Sequence, residues 1–357
     1  MSATRITFLA GQTEQPQALA RVVAHVRDQL SGTGAERLRD ARRPLFTGIG
    51  ASYAALAVPV AALREHGVVT QRVLADEIEH GTRGFDTDLL VGVSQGGRSS
   101  ETLAAFRAAQ EQSLATAAVL NVPASPLGDL AGLTVDLGNE PDSYASTTGF
   151  TATVVALDLI AGAISGRDDA ERTWGRIAEQ TTAVRAEAAR VIGTVRARAA
   201  RCVAADAVAS GASRASAEEA ALLLREVVRM PATASATRTY LHGEMESAGN
   251  TLHLVLGDDR ETSLARSLSG AGHLTLLVTT RDVAADEHLA VVRLPETAPA
   301  ARVVLETVVV QELVATLSGE RNIPIESFVF ANDDTKEGGV DPSDFALASP
   351  DLGGRNG

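Results

Sequence analysis

The sequence predicts an α/β fold in which two successive parallel sheets are each flanked by helices. Three observations carry that prediction. Short β-type runs alternate with segments of helical period, and strands joined by helical crossovers pair in parallel. The alternation occurs twice, on either side of a long, charged, Ala-rich stretch at 167–201 that has no strand signal. The chain has 357 residues, the length of two ordinary domains.

Residues 1–40 read as a helical lead-in. The first α/β unit, 41–166, has β-type runs at 44–48 (PLFTG), 68–74, 88–94, 116–122 and 133–137, with helical segments at 53–66 and 100–112. Residues 167–201 read as a helical connector. The second unit, 202–330, has runs at 204–210, 251–256, 274–280 and 290–294, with helical segments at 215–229, 260–270 and 301–317. The two units share one plan without a residue-by-residue repeat. The tail at 331–357 is acidic and rich in Gly, Pro, Asp and Ser, and reads as irregular.

Composition narrows the function. Hydrophobic residues make up 45% of the chain and aromatic residues 3%, so the core is built from Ala, Val and Leu. A net charge of −13 argues against nucleic-acid partners, whose phosphates demand clustered basic side chains. The lone Cys202 excludes an intrachain disulfide framework and cysteine-rich zinc sites, and is compatible with a reducing cytoplasm. No signal-peptide pattern opens the sequence, and no uninterrupted apolar run reaches the ~18 residues that span a bilayer. No membrane partner is expected. Of the 32 basic residues one alone, Lys336, is a lysine, an excess of arginine that coding bias explains most simply.

The most informative segment is 91–103, VGVSQGGRSSETL. A strand runs into Ser94, Gln95 and the glycines Gly96 and Gly97, then into Ser99, Ser100 and Thr102 at the start of a helix. Glycines admit a ligand close to the backbone, helix N-termini favour anions, and hydroxyls add neutral donors. This suits a phosphate monoester; the segment fits neither a dinucleotide fingerprint nor a nucleoside-triphosphate loop. A helix cap alone would account for the same residues. Two similar turns, Gly50-Ala51-Ser52 after the first strand and Ser146-Thr147-Thr148 after the fifth, favour the phosphate. In a parallel sheet all three lie at the carboxyl ends of strands.

GIGASYAA, SQGGRSSETL and YASTTGFTA, in this order, resemble the first domain of the double sugar-isomerase (SIS) family, whose best-known member is the isomerase half of glucosamine-6-phosphate synthase. The resemblance covers roughly 14–320. It implies two tandem SIS domains of flavodoxin-like, three-layer form. It also implies that Gly50, Ala51, Ser52, Ser94, Gln95, Gly96, Ser99 and Ser146 hold a hexose phosphate. Ala51, Gly96 and Arg98 depart from the family's usual Thr, Ser and Glu. Arg98 either lends charge to the phosphate or stands exposed.

Moving a proton between C1 and C2 of a sugar needs one partly shielded base. Glu226, with Leu222, Leu223 and Met230 at helical spacing, matches the family's proton-shuttling glutamate, and His242, sixteen residues on, its ring-opening histidine. Glu244 replaces the proline of that motif. Glu219 matches a further acidic position, either orienting the sugar or serving the fold. The family histidine serves the neighbouring subunit, which implies a homodimer with sites near the interface. The family's upstream lysine is Leu223 here, so Lys336 is the one side chain able to form a lysine imine. Against that stands a solvated lysine in an acidic tail.

No glutaminase domain is visible, and no metal or cofactor is implied. An amino-sugar substrate brings its own nitrogen. The expectation is therefore an enzyme acting on an amino-sugar phosphate, as deglycase, deaminase or ammonia-dependent aminating isomerase, with similarity in size and plan to double-SIS deglycases and deaminases. The alternatives are a plain aldose–ketose phosphate isomerase and a non-catalytic sugar-phosphate sensor.

Overall fold

The computed structural model describes residues 4–32, 34–78, 80–330 and 333–339. Helix α1 (Phe8–Ser31) starts at Thr7, whose hydroxyl accepts the Ala10 N–H, and α2 (Gly34–Arg39) leads into the first sheet. That sheet comprises β1 (Pro44–Gly48), β2 (Gln71–Leu74), β3 (Leu89–Val93), β4 (Ala115–Leu120) and β5 (Leu133–Asp136). Its order is β2-β1-β3-β4-β5, with every pair parallel. Helices α3 (Ala51–Ala55), α4 (Ala57–Glu65), α5 (Ser100–Glu111), α6 (Pro126–Leu130) and α7 (Thr148–Ser165) accompany it. Every residue of β1 and β3 is buried, which is why both read as unbroken apolar runs rather than alternating ones.

After α8 (Ala170–Trp174) and α9 (Ile177–Ala199) the second sheet follows: β6 (Ala204–Ala209), β7 (Ala232–Ala236), β8 (Thr251–Leu256), β9 (Thr275–Thr279) and β10 (Leu289–Arg293). Its order, β10-β9-β8-β6-β7, is again all parallel and reproduces the first when counted from its own first strand. Helices α10 (Arg214–Glu226), α11 (Thr237–Tyr240), α12 (Arg260–Gly270) and α13 (Pro299–Glu320) complete it. In each sheet the strand order reverses beside the first strand, between β1 and β3 and between β6 and β8, and such points open a crevice at the strands' carboxyl ends.

Three expectations need correction. The second sheet has a fifth strand, β7, whose small residues ATASA give no apolar run and which is largely exposed at the sheet edge. The run at 68–74 pairs only from Gln71; Val69 is 69% exposed, and the Thr70 hydroxyl donates to the Pro44 carbonyl. The helix expected over 53–66 is divided at Leu56. The helical stretch expected at 167–201 holds α8 and α9, and α9 packs against α13 and α1.

Helix α7 is long and apolar enough by length and composition to cross a membrane, which the sequence reading did not anticipate. Sixteen of its eighteen residues are buried, among helices that include α1, α4 and α13. One continuous core joins both halves, from Phe8 and Leu19 through Val154 to Val308 and Leu313. Two polar ties cross the same boundary. The Arg72 guanidinium meets Glu218 of α10 at 2.5 Å, and the Thr147 carbonyl accepts amide protons from both Gln15 and Gln311 at 3.1 Å.

Candidate active site

At the carboxyl end of β3 the backbone leaves the sheet through the buried Ser94. The Gln95 carbonyl accepts the N–H groups of Asn121 and Val122, fastening the loop to the end of β4. Gly97 has φ +64°, and a Cβ there would stand 2.0 Å from the Ser125 hydroxyl, so only glycine serves. Ser99 is the residue before α5, yet its side chain does not cap that helix. Its hydroxyl donates to Glu101 at 3.1 Å and accepts from Thr102 at 3.2 Å.

The third turn is held by an acid that sequence reasoning passed over. Asp142 accepts from the Ser146 hydroxyl at 2.7 Å and from the Thr147 N–H and hydroxyl at 2.9 Å each. Ser146 also accepts the Phe150 N–H at 2.8 Å, so its oxygen is engaged in holding the start of α7. A Cβ on Gly149 would lie 2.0 Å from the Gln95 amide and 2.3 Å from the Asp142 carboxylate, which places those two side chains side by side. An acid four residues ahead of Ser146 was the available signal. At the first turn, Gly50 lies against Leu222 of α10, bringing the second half to the edge of the cradle; Ala51 and Ser52 are half-buried there.

Helix α10 presents the acids. Glu226, in its last turn, is half-buried, and desolvation pushes its carboxyl up to about 7. Glu219 is wholly buried and neither carboxylate oxygen has a hydrogen-bond partner among the described residues. Burial above all, then the charges of Glu226 and Asp142, raises its carboxyl well above the usual range. Leu223, four residues beyond Glu219 and fully buried, supplies no charge to offset it.

His242 is exposed, and its side chain makes no hydrogen bond among the described residues. Its loop is anchored through Tyr240, whose hydroxyl donates to Asp206 at 2.9 Å and lies 3.0 Å from His253 Nδ1. Of the tail, residues 331–332 and 340–357 lie outside the described residues. Residues 333–339 are ordered against the cradle: Lys336 forms an antiparallel bridge with Ser99, and its Nζ lies 5.7 Å from the centre of the Tyr144 ring. Lys336 is thus half-buried beside the loop that carries Ser99, rather than fully solvated in the tail. Arg98 is neither aimed at a phosphate nor idle, because its guanidinium donates to the Glu337 carbonyl at 2.9 and 2.6 Å. Among the described residues no group of three His, Cys, Asp or Glu side chains could hold a metal ion.

Residues 37–163 match the family model for the SIS domain. Over 139 residues the chain is 31% identical to glutamine–fructose-6-phosphate aminotransferase (isomerizing) of Aquifex aeolicus, a match covering 38% of this chain and 23% of that relative. The chain thus spans about a quarter of the length of that relative. The C-terminal domain of glucosamine-fructose-6-phosphate aminotransferase from Francisella tularensis superimposes with a TM-score of 0.76 at 19% identity, covering 89% of this chain and 97% of that one. Tagatose-6-phosphate ketose/aldose isomerase of Escherichia coli does so at 0.73 and 16%, covering 90% and 96%. These two likenesses show that the arrangement of the two successive sheets is a known fold.

Proposed function

We propose that the protein is an enzyme acting on an amino-sugar phosphate, moving a proton between C1 and C2. The observation that carries this reading is the acid pair on α10. Glu226 titrates near neutrality, where a shuttle must both take and release a proton. Glu219, seven residues earlier, is a buried carboxylate with no hydrogen-bond partner and no cation to offset it among the described residues. A buried acid of this kind favours a ligand that brings its own positive charge, and a protonated amine on the sugar does so. The phosphate is held by Ser94, Gln95, Ser99 and the glycine turns at Gly50 and Gly96, with neutral donors in place of lysine.

His242 opens the sugar ring. Its exposure supports a site completed by a second copy of the chain, and hence a homodimer. Lys336 at the cradle favours, among amino-sugar reactions, those that pass through a ketose carbonyl, such as ammonia-dependent amination.

The test is Glu226→Gln assayed against glucosamine 6-phosphate, fructosamine 6-phosphate, and fructose 6-phosphate with ammonia. Turnover should fall by about 10²–10⁴-fold while binding of the sugar phosphate persists. Unchanged turnover would overturn the assignment. Wild-type kcat/KM should rise with pH through about 7, because the carboxylate is the active base and burial has moved its titration there.

A further inference from the structure

The tail segment 333–339 is fixed by more than one kind of contact, most of them directed to the cradle loop and α5. Its short turn at Asp333–Thr335 receives the Ser100 hydroxyl on the Asp334 carbonyl at 3.0 Å. The Glu337 N–H donates to the Arg98 carbonyl at 2.8 Å, and the Arg98 guanidinium returns two bonds to the Glu337 carbonyl and a third to Gly339 at 3.3 Å. From the body of α5, Arg107 pairs with the Glu337 carboxylate at 2.6 Å. Between these contacts stands Lys336, whose amine faces the Tyr144 ring on the loop that leads to Ser146. Tyr144 is itself packed edge-on against Phe328, with ring centres 4.2 Å apart.

We infer that Arg98 and Arg107 are positioning residues: together they clasp the acidic tail onto the start of α5, and the clasp sets the Lys336 amine at the mouth of the cradle. The residue type explains why Arg98 matters. A guanidinium presents several donors in a fixed fork, so one side chain holds two tail carbonyls, those of Glu337 and Gly339. A glutamate at that position could donate to neither. Arg107 adds charge recognition of Glu337. This inference rests on the reading above only in what the amine meets there, a sugar-phosphate carbonyl; the clasp itself does not depend on it.

The composition of the chain supplies the assay. Lys336 is the sole lysine, so a lysine-specific endoprotease cuts the intact protein at one bond, between Lys336 and Glu337. Arg98→Ala and Arg107→Glu should each be cut at least tenfold faster than wild type. Adding Glu337→Arg to Arg107→Glu should restore protection by reversing the pair. Equal cutting in wild type and Arg98→Ala, with both folded by circular dichroism, would overturn the clasp.

Positioning is read separately, by incubation with fructose 6-phosphate and cyanoborohydride. The Lys336 amine condenses with the C2 carbonyl, losing its protons to the departing oxygen as water, and the reductant delivers hydride to the imine carbon. Capture at Lys336, found by peptide mass, should slow at least tenfold in Arg98→Ala. Equal capture rates in the two proteins would overturn the positioning role. Altered cutting with no capture even in wild type would leave the clasp standing and refute the sugar-carbonyl reading of the cradle.

Discussion

The two sheets share one strand order, yet their reversal points are furnished in opposite ways. Between β6 and β8 the protein supplies its own anions. Glu261, in the first turn of α12, accepts the Ser210 hydroxyl at 2.7 Å and the Thr237 hydroxyl at 2.5 Å, and Gly257 makes room for it, since a Cβ there would lie 2.3 Å from its side chain. Beside it Asp258 accepts from both Thr279 and Thr280 hydroxyls, the Thr280 N–H and the Arg302 guanidinium. Those bonds hold the Asp258 carboxyl far below its usual range despite partial burial. Between β1 and β3 the corresponding loop offers glycines and hydroxyls. The same topology thus gives a self-satisfied structural joint in one half and, in the function proposed above, a place for an outside anion in the other, as expected when a site is grafted onto a fold rather than fixed by it.

Substitutions at the two points should separate stability from binding. The largest effect is expected at the filled joint, where Asp258→Ala leaves the Thr279 and Thr280 hydroxyls without their acceptor and Arg302 with Glu306 alone, and should cost about 2–3 kcal/mol of stability, measured by urea unfolding. In wild type the Asp258 contribution should be present above the ordinary carboxylate range and fade as pH falls below about 4, because protonation is favoured in the unfolded chain. A smaller effect, and of another kind, is expected at the open point. Ser99→Ala removes one neutral donor, so affinity for a hexose phosphate should drop about tenfold, or about 1–1.5 kcal/mol, with the unfolding midpoint little changed. Equal losses of stability at both points would break the contrast.

The smallest effect should carry the opposite sign. Glu219 has a raised carboxyl, so between its unfolded and folded titrations the native state holds a proton that the unfolded chain releases, and stability falls as pH rises. Glu219→Gln should therefore melt higher than wild type at pH 8, with the gap closing near pH 4. A melting temperature below wild type at pH 8 would show that the carboxylate has a partner.

Much of this was legible because apolar strands and glycine–hydroxyl turns are local signals. β1 and β8 begin and end where the pattern places them, and the three turns lie at the carboxyl ends of their strands. What escaped reading depends on the environment. β7 lacks an apolar run because an edge strand buries little. The docking of residues 333–339 rests largely on backbone carbonyls, which composition does not reveal, so an acidic Gly-rich tail looks solvated even where arginines receive it. The isolation of Glu219 follows from Leu223 and from burial, and only the second is a property of the fold.

The Thr147 carbonyl, which takes one amide from α1 and another from α13, separates two kinds of boundary. Gln15 and Gln311 both lie outside the stretch that matches the SIS family. A fragment cut to residues 37–163 would keep every strand of the first sheet and lose both anchors of the turn that leads into α7. The unit that can be recognised by its sequence is thus smaller than the unit that must fold together.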